Sequence, residues 1–250
     1  MKEKTIFIIF VIFTVNFYGQ TFKGKVTYNV ENINIGSTKL KQETPKQKKI
    51  FAHVIGTFEL IKKLQLQLLF DDKNSYFHSI DELIKDGENE FLYKTARLVS
   101  KTKSNYFYSK NDMQLIEKKE SFGEIFLISK KIDVRDWELV NETKKIGKYL
   151  CYKAKRIVTI ITRQGDKDVN QTVWYSPEIP ISFGPKEFVG FPGLVLQVLD
   201  GNIQYTATEI ALNPVEKIEI KAIRGKVISE REYRKATQKS IDNTNSFFKK

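Results

Sequence analysis

One cysteine and two histidines in 250 residues leave nothing from which to build an intrachain disulfide, and too little for the usual Cys/His zinc sites. Six prolines and 13 glycines are far below collagen-like or low-complexity composition. Arginine is scarce as well: Arg97, Arg135, Arg156, Arg163, Arg224, Arg231 and Arg234 stand against 35 lysines. Specific base reading favours arginine forks, so the net charge of +12 is read as a solvated lysine-rich surface and not as a nucleic-acid footprint. A field of that sign can still attract anionic lipid or lipopolysaccharide. No stretch reaches the ~18 apolar residues of a spanning helix. No Walker, Rossmann, G-x-S-x-G or H-E-x-x-H signature is present.

What is there is an ordinary globular composition, 41% hydrophobic and 29% charged, enough for a substantial core. The amino terminus sets the compartment. Lys2 and Lys4 precede the apolar run 6–15, and small or polar residues follow at Asn16, Gly19 and Gln20. This is the plan of a secretory signal peptide over residues 1–19, cleaved near 19/20. The expected product is one β-rich domain over residues 20–250, in the periplasm or cell envelope or secreted, with no transmembrane helix in the mature chain.

Alternation at Phe22, Gly24, Val26, Tyr28 and Val30 predicts a first strand. The lysine-rich stretch at about 31–49, which contains Pro45, predicts a polar connection. Leu64, Leu66, Leu68 and Phe70 alternate, and the DDKN signal after them turns into a hairpin. Leu92, Ala96 and Val99 share a helical stripe, predicting one inserted helix over 89–100. Short β-type runs then recur from Tyr106 to Ile210, punctuated by Gly123, by Arg163–Lys167 and by Asp200-Gly201-Asn202. Ser229 and Glu232 have the spacing of a capping box ahead of a helical tail over about 229–246. About ten strands without strand–helix alternation predict a mainly β (α+β) fold, a strongly curved antiparallel sheet of half-barrel or sandwich type with an inserted and a C-terminal helix.

The densest patch of special residues is 173–198. Gly190-Phe191-Pro192-Gly193-Leu194-Val195, with Trp174-Tyr175, Ile179-Pro180 and Gly184-Pro185 before it and Tyr149–Ala154 upstream, resembles the GLPGLI family of exported proteins of Bacteroidota. The resemblance implies export and a β-rich fold. It carries no biochemical activity. Physically, Phe191-Pro192-Gly193-Leu194 has the composition of a type II turn. Trp174, Tyr175, Phe183, Phe188 and Phe191 are candidates for an aromatic mouth, or else they plug the end of a curved sheet. The candidate binding residues are Trp174, Tyr175, Pro180, Gly184, Pro185, Gly190, Phe191, Pro192, Gly193 and Leu194.

No catalytic constellation, metal site or cofactor motif is read from the remainder. Cys151 sits in an apolar strand pattern. His53 and His78 lack ligand-spaced partners. Asp71-Asp72, Asp81-Glu82 and Asp133 with Asp136 lie where turn and capping carboxylates occur. The expectation is therefore an exported envelope module that binds an apolar ligand, a peptide or an outer-membrane partner. The alternatives are an envelope hydrolase using Cys151 or a turn carboxylate, and a purely structural assembly protein.

Overall fold

The computed structural model describes residues 22–33, 44–80, 90–162, 165–220 and 222–247; the leader segment and the Asp81-Glu82 pair lie outside them. Alternation builds most of the strands. In β1 (Gly24–Asn32) Val26, Tyr28 and Val30 are buried, and in β2 (Gln65–Phe70) Leu66, Leu68 and Phe70 are. The strands that follow are β3 (Asn74–Ser79), β4 (Asn105–Ser109), β5 (Gln114–Ser121), β6 (Glu124–Lys130), β7 (Glu138–Ile146), β8 (Tyr149–Thr162), β9 (Gly165–Ser176), β10 (Leu194–Asp200), β11 (Ile203–Leu212) and β12 (Val227–Ser229).

All twelve join one sheet in the order β12-β6-β5-β4-β3-β2-β1-β11-β10-β9-β8-β7, which does not close into a barrel. Two meanders, β1 to β6 and β7 to β11, meet where β1 pairs antiparallel with β11. Every pairing but one is antiparallel, and six of the eleven (β2–β3, β4–β5, β5–β6, β7–β8, β8–β9 and β10–β11) are hairpins closed by short turns. The exception is β12, parallel to β6 with Val227 opposite Leu127. To reach it, the chain after β11 crosses the sheet face on which Leu69, Tyr76 and Leu127 lie.

Two helices are inserted, one more than the sequence pattern predicts. The expected polar connection over 31–49 is β1 at one end and the start of α1 (Pro45–Lys63) at the other. Pro45, which reads as a loop signal, sits at the first helical position, where its missing N–H costs nothing. Thr44 and Gln47 close a capping box around it: the Gln47 amide donates to Thr44 Oγ1 (3.2 Å) and the Thr44 amide to Gln47 Oε1 (2.8 Å). The helix escaped the pattern because its first turn is Pro45 followed by Lys46, Gln47 and Lys48, and only Thr57 and Ile61 are buried. The predicted helix 89–100 is α2 (Glu90–Val99), which buries Ala96. α1 and α2 pack together where Gly56 leaves room for the Leu92 side chain. α3 (Glu230–Phe247) begins at the predicted box, with the Ser229 amide on Glu232 Oε2 (2.7 Å) and the Glu232 amide on Ser229 Oγ (3.2 Å). Its Tyr233 packs edge-on against Phe126 of β6 (5.2 Å). Among the described residues no helix is long and apolar enough to cross a membrane.

The core lies on the face that carries Val26, Leu68, Phe77 and Tyr106 in one cross-strand row and Tyr205, Val198, Val173 and Ala154 in another. Tyr205 hydroxyl donates to the Ser100 carbonyl (2.8 Å) and pins the end of α2 to this face.

Candidate functional site: a buried lysine and the cleft beside it

Between β9 and β10 the chain turns a corner over residues 177–193 and folds back onto the core face. Ile179, Phe183, Phe188, Val189 and Phe191 are buried there. Backbone bonds hold the corner: Val195 amide to Phe183 carbonyl (2.9 Å), Gly190 amide to Ser182 carbonyl (2.9 Å) and Leu194 amide to Ile179 carbonyl (3.0 Å). Because Leu194 donates to Ile179, the expected type II turn is not closed at Phe191. Gly193 amide instead donates to the Phe191 carbonyl (2.8 Å), a three-residue turn centred on Pro192. Two glycines are required by contact. A Cβ on Gly193, whose φ is 153°, would lie 2.2 Å from the Ser176 carbonyl oxygen, and one on Gly184 would lie 2.2 Å from that of Phe188.

The aromatic residues split into two groups. Phe191 stacks on Tyr175 (5.6 Å) and meets Trp137 edge-on (5.1 Å), while Phe183 packs between Phe70 (6.0 Å) and Tyr108 (5.9 Å). These rings fill the corner. Trp174 lies on the other face of β9, since consecutive strand residues alternate; Lys144 and Lys153 ammonium groups sit over its ring at 4.2 and 5.6 Å. The structure therefore gathers Tyr175, Gly184, Pro185, Gly190, Phe191, Gly193 and Leu194 around one packed corner. It leaves Trp174 on the opposite face and Pro180 and Pro192 exposed.

The corner also holds a residue the sequence reading passed over. Lys186 occupies the first central position of the turn closed by Phe188 amide on Pro185 carbonyl (3.1 Å), with φ of 56°. Glycine or asparagine is the usual occupant of such a position. The lysine side chain is 5% exposed. Its ammonium lies 3.2 Å from Asp200 Oδ2 and 3.9 Å from Glu187 Oε2, over the rings of Tyr205 and Phe188. Burial pulls against the charged form, but the Glu187 and Asp200 carboxylates outweigh it and hold the ammonium well above the ordinary lysine range. Asp200 also accepts from Lys101 Nζ (2.7 Å) and Gln171 Nε2 (2.9 Å). Burial alone would raise its carboxyl, yet Lys186 and Lys101 bring it down to about 2.

Lys186 forms part of the floor of a cleft of about 320 Å³ between the end of α2 and strands β4 to β6. The floor is completed by Tyr106 and Glu117, and Glu117 accepts from Ser104 Oγ (2.6 Å) and pairs with Lys130 (3.1 Å). Lys130 pairs in turn with Glu230 at the start of α3 (2.5 Å). Six of the ten lining residues are cationic, Arg97, Lys101, Lys103, Lys119, Lys130 and Lys186; one, Glu117, is a carboxylate, and Leu98 is the only aliphatic one. Nothing in the pattern flagged Lys186, one lysine among 35. The available signal was its position between Gly184-Pro185 and an aromatic run.

The other candidates are held in local structure. Cys151 is fully buried, and burial pushes its thiol up to about 11, away from the thiolate form that reacts. Asp71 accepts from the Lys73 and Asn74 amides (2.8 and 2.7 Å) and shapes the β2–β3 turn. Asp133 is forked by Arg135 (3.0 and 2.9 Å). His53 meets Phe91 edge-on and His78 stacks on Tyr76. Among the described residues no group of three or more His, Cys, Asp or Glu side chains is placed to hold a metal ion.

Comparison with known proteins adds little chemistry. A family model described as "Protein of unknown function (Porph_ging)" matches residues 162–197, the segment from β9 through the corner into β10. No curated protein matches. Among solved structures, PNGF-II in space group P21 is similar over 88% of this chain and 34% of its own, at 14% identity and a TM-score of 0.52. The same protein in space group C2 gives 84% and 31%, at 15% identity and a TM-score of 0.47. The chain thus spans about a third of the length of that protein, and at this identity the likeness to the P21 structure is one of fold alone. The stretch that the family model recognises is the one that carries Lys186.

Proposed function

We propose that this is an exported, GLPGLI-type binding module of the cell envelope, acting without catalysis, and that its cleft beside Lys186 receives a ligand or partner bearing an acidic group. The observation that carries the reading is the lining of that cleft: six cations around about 320 Å³, of which Lys101 and Lys186 are paired with Asp200 and Lys130 with Glu117 and Glu230, leaving a positive excess to which Lys103 and Lys119 contribute. Apolar ligand sites have mostly hydrophobic walls with a few polar groups, and this cleft inverts that ratio. Of the rings expected to form an apolar mouth, Tyr175, Phe183, Phe188 and Phe191 are packed into the corner, and Trp174 lies on the other face under Lys144 and Lys153. The ligand chemistry accordingly moves from apolar to anionic. The Lys186–Asp200 pair sets the floor rigidly, while Lys103 and Lys119 at the rim carry charge that attracts and orients an anion.

Titrating the mature protein with pyrophosphate while following backbone amide shifts tests this. The expected result is saturable shifts centred on Ser104, Lys119 and Lys186, lost in the folded Lys103→Glu/Lys119→Glu variant. Shifts spread over lysines at large, or unchanged in that variant, would overturn the assignment.

A further inference from the structure

Among the described residues, the register of the sheet leaves one part of it without a third paired strand. β7 stops pairing with β8 where Glu138 faces Lys155, and β10 stops pairing with β9 where Asp200 faces Gln171. Past those points the ladder between β8 and β9 continues to Thr162 opposite Gly165. A further bond at its base runs from the Gly201 amide to the Asn170 carbonyl (3.0 Å). Residues 156–162 and 165–170 therefore form a two-stranded arm beyond the sheet. Such a ribbon is marginal alone in water, and among the described residues no strand pairs with the outer edge of β8 beyond Lys155, an edge of the kind that accepts another strand.

The two edges differ in chemistry. Residues 157–162 of β8 read Ile-Val-Thr-Ile-Ile-Thr, an uncharged, β-branched run in a chain that is 29% charged. Ile157 is 66% exposed and Ile160 43%, and by strand alternation they lie on opposite faces of the arm. The β9 edge carries Asp166, Lys167 and Asp168, the charged residues that discourage edge pairing. The charge pattern also selects the partner. Antiparallel pairing of β8 with the same strand of a second copy about Thr159 sets position 157 opposite 161, 158 opposite 160, and Arg156 opposite Thr162, so no like charges meet. Parallel pairing in register would put Arg156 beside Arg156, and self-pairing of β9 about Lys167 would put Asp166 opposite Asp168; both are unfavourable.

We infer that the free β8 edge is a homodimerisation surface: two copies join by antiparallel pairing over residues 156–162, giving an isologous two-fold dimer. No residue of the arm lines the Lys186 cleft, and the oligomeric state is read without any ligand, so this inference stands or falls separately from the ligand reading.

Sedimentation of the mature protein up to about 100 µM tests it, together with two variants. The expected result is a concentration-dependent dimer, weakened roughly tenfold or more by Ile160→Lys, with the thermal transition unchanged because the arm is outside the core. Thr159→Cys should oxidise to a disulfide-linked dimer, since the native Cys151 is buried, whereas Lys167→Cys on the other edge should not. A wild-type monomer throughout the range would overturn the inference. So would a dimer indifferent to Ile160→Lys, or equal cross-linking from both edges.

Discussion

Lys186 combines two costs in one residue: a left-handed backbone angle, worth roughly 1–2 kcal/mol for a side chain with a Cβ, and an ammonium removed from water. Both are tolerated because Asp200 is fixed opposite it by Lys101 and Gln171. The pairing has a pH signature. The Asp200 carboxyl titrates near 2 in the folded protein against an ordinary value of 3.8. A depressed folded value contributes stability that is present above the unfolded value and lost as pH falls through the folded one. Here the window runs from about pH 4 down to about pH 2, and it is worth about 2 kcal/mol. Urea unfolding across that window should show the loss in the wild type, while Asp200→Asn starts less stable and shows a flatter dependence. An identical slope in both would remove Asp200 from the account. At this scale the sequence said least. A lysine in a lysine-rich chain carries no mark of burial, and only the folding of the corner back onto the core face brings position 186 within reach of Asp200.

At the level of elements, hairpins were legible and long-range placement was not. Alternation and the signals at Gly123 and Gly201 located the strands, because period-2 burial and positive φ are local properties; Gly123 and Gly201 have φ of 77° and 68°. The C-terminal helix was readable from Ser229 and Glu232 for the same reason. α1 was not, since Pro45 and the lysines after it resemble a loop until Thr44 and Gln47 are seen to bond across them. β12 is three residues long and parallel to a strand about 100 positions earlier in the chain, so no local period marks it. The corner over 177–193 was marked by its glycines and prolines, but which bonds close it was not, because the Leu194 amide is claimed by Ile179. The corner's dependence on Gly193 is directly testable. Gly193→Ala must place a Cβ against the Ser176 carbonyl at a φ of 153°, and chemical denaturation should register a loss of about 2–3 kcal/mol. Pro192→Ala, at an exposed position, should change stability by under about 1 kcal/mol. Equal effects would mean that the corner is not built on close approach at Gly193.

Across the whole molecule, the open sheet distributes three tasks. Its centre, where β1 meets β11, carries the core; the ring-filled corner and α2 close over one stretch of that face; and the cationic cleft opens beside them. The mainly β, predominantly antiparallel architecture was legible because ten or so alternating runs without strand–helix alternation permit few other solutions. The cleft was not, because its walls come from α2, β4, β5, β6 and the corner, which are far apart in the chain. The central claim is that this cleft holds an acidic ligand. The most direct measurement is a native mass spectrum of the mature protein isolated under mild conditions from the cells that make it, beside the Lys103→Glu/Lys119→Glu variant prepared in the same way. The account predicts an adduct of fixed mass and acidic character on the wild type that is absent from the folded variant. A bare wild-type chain, or an adduct that the variant retains, would contradict it.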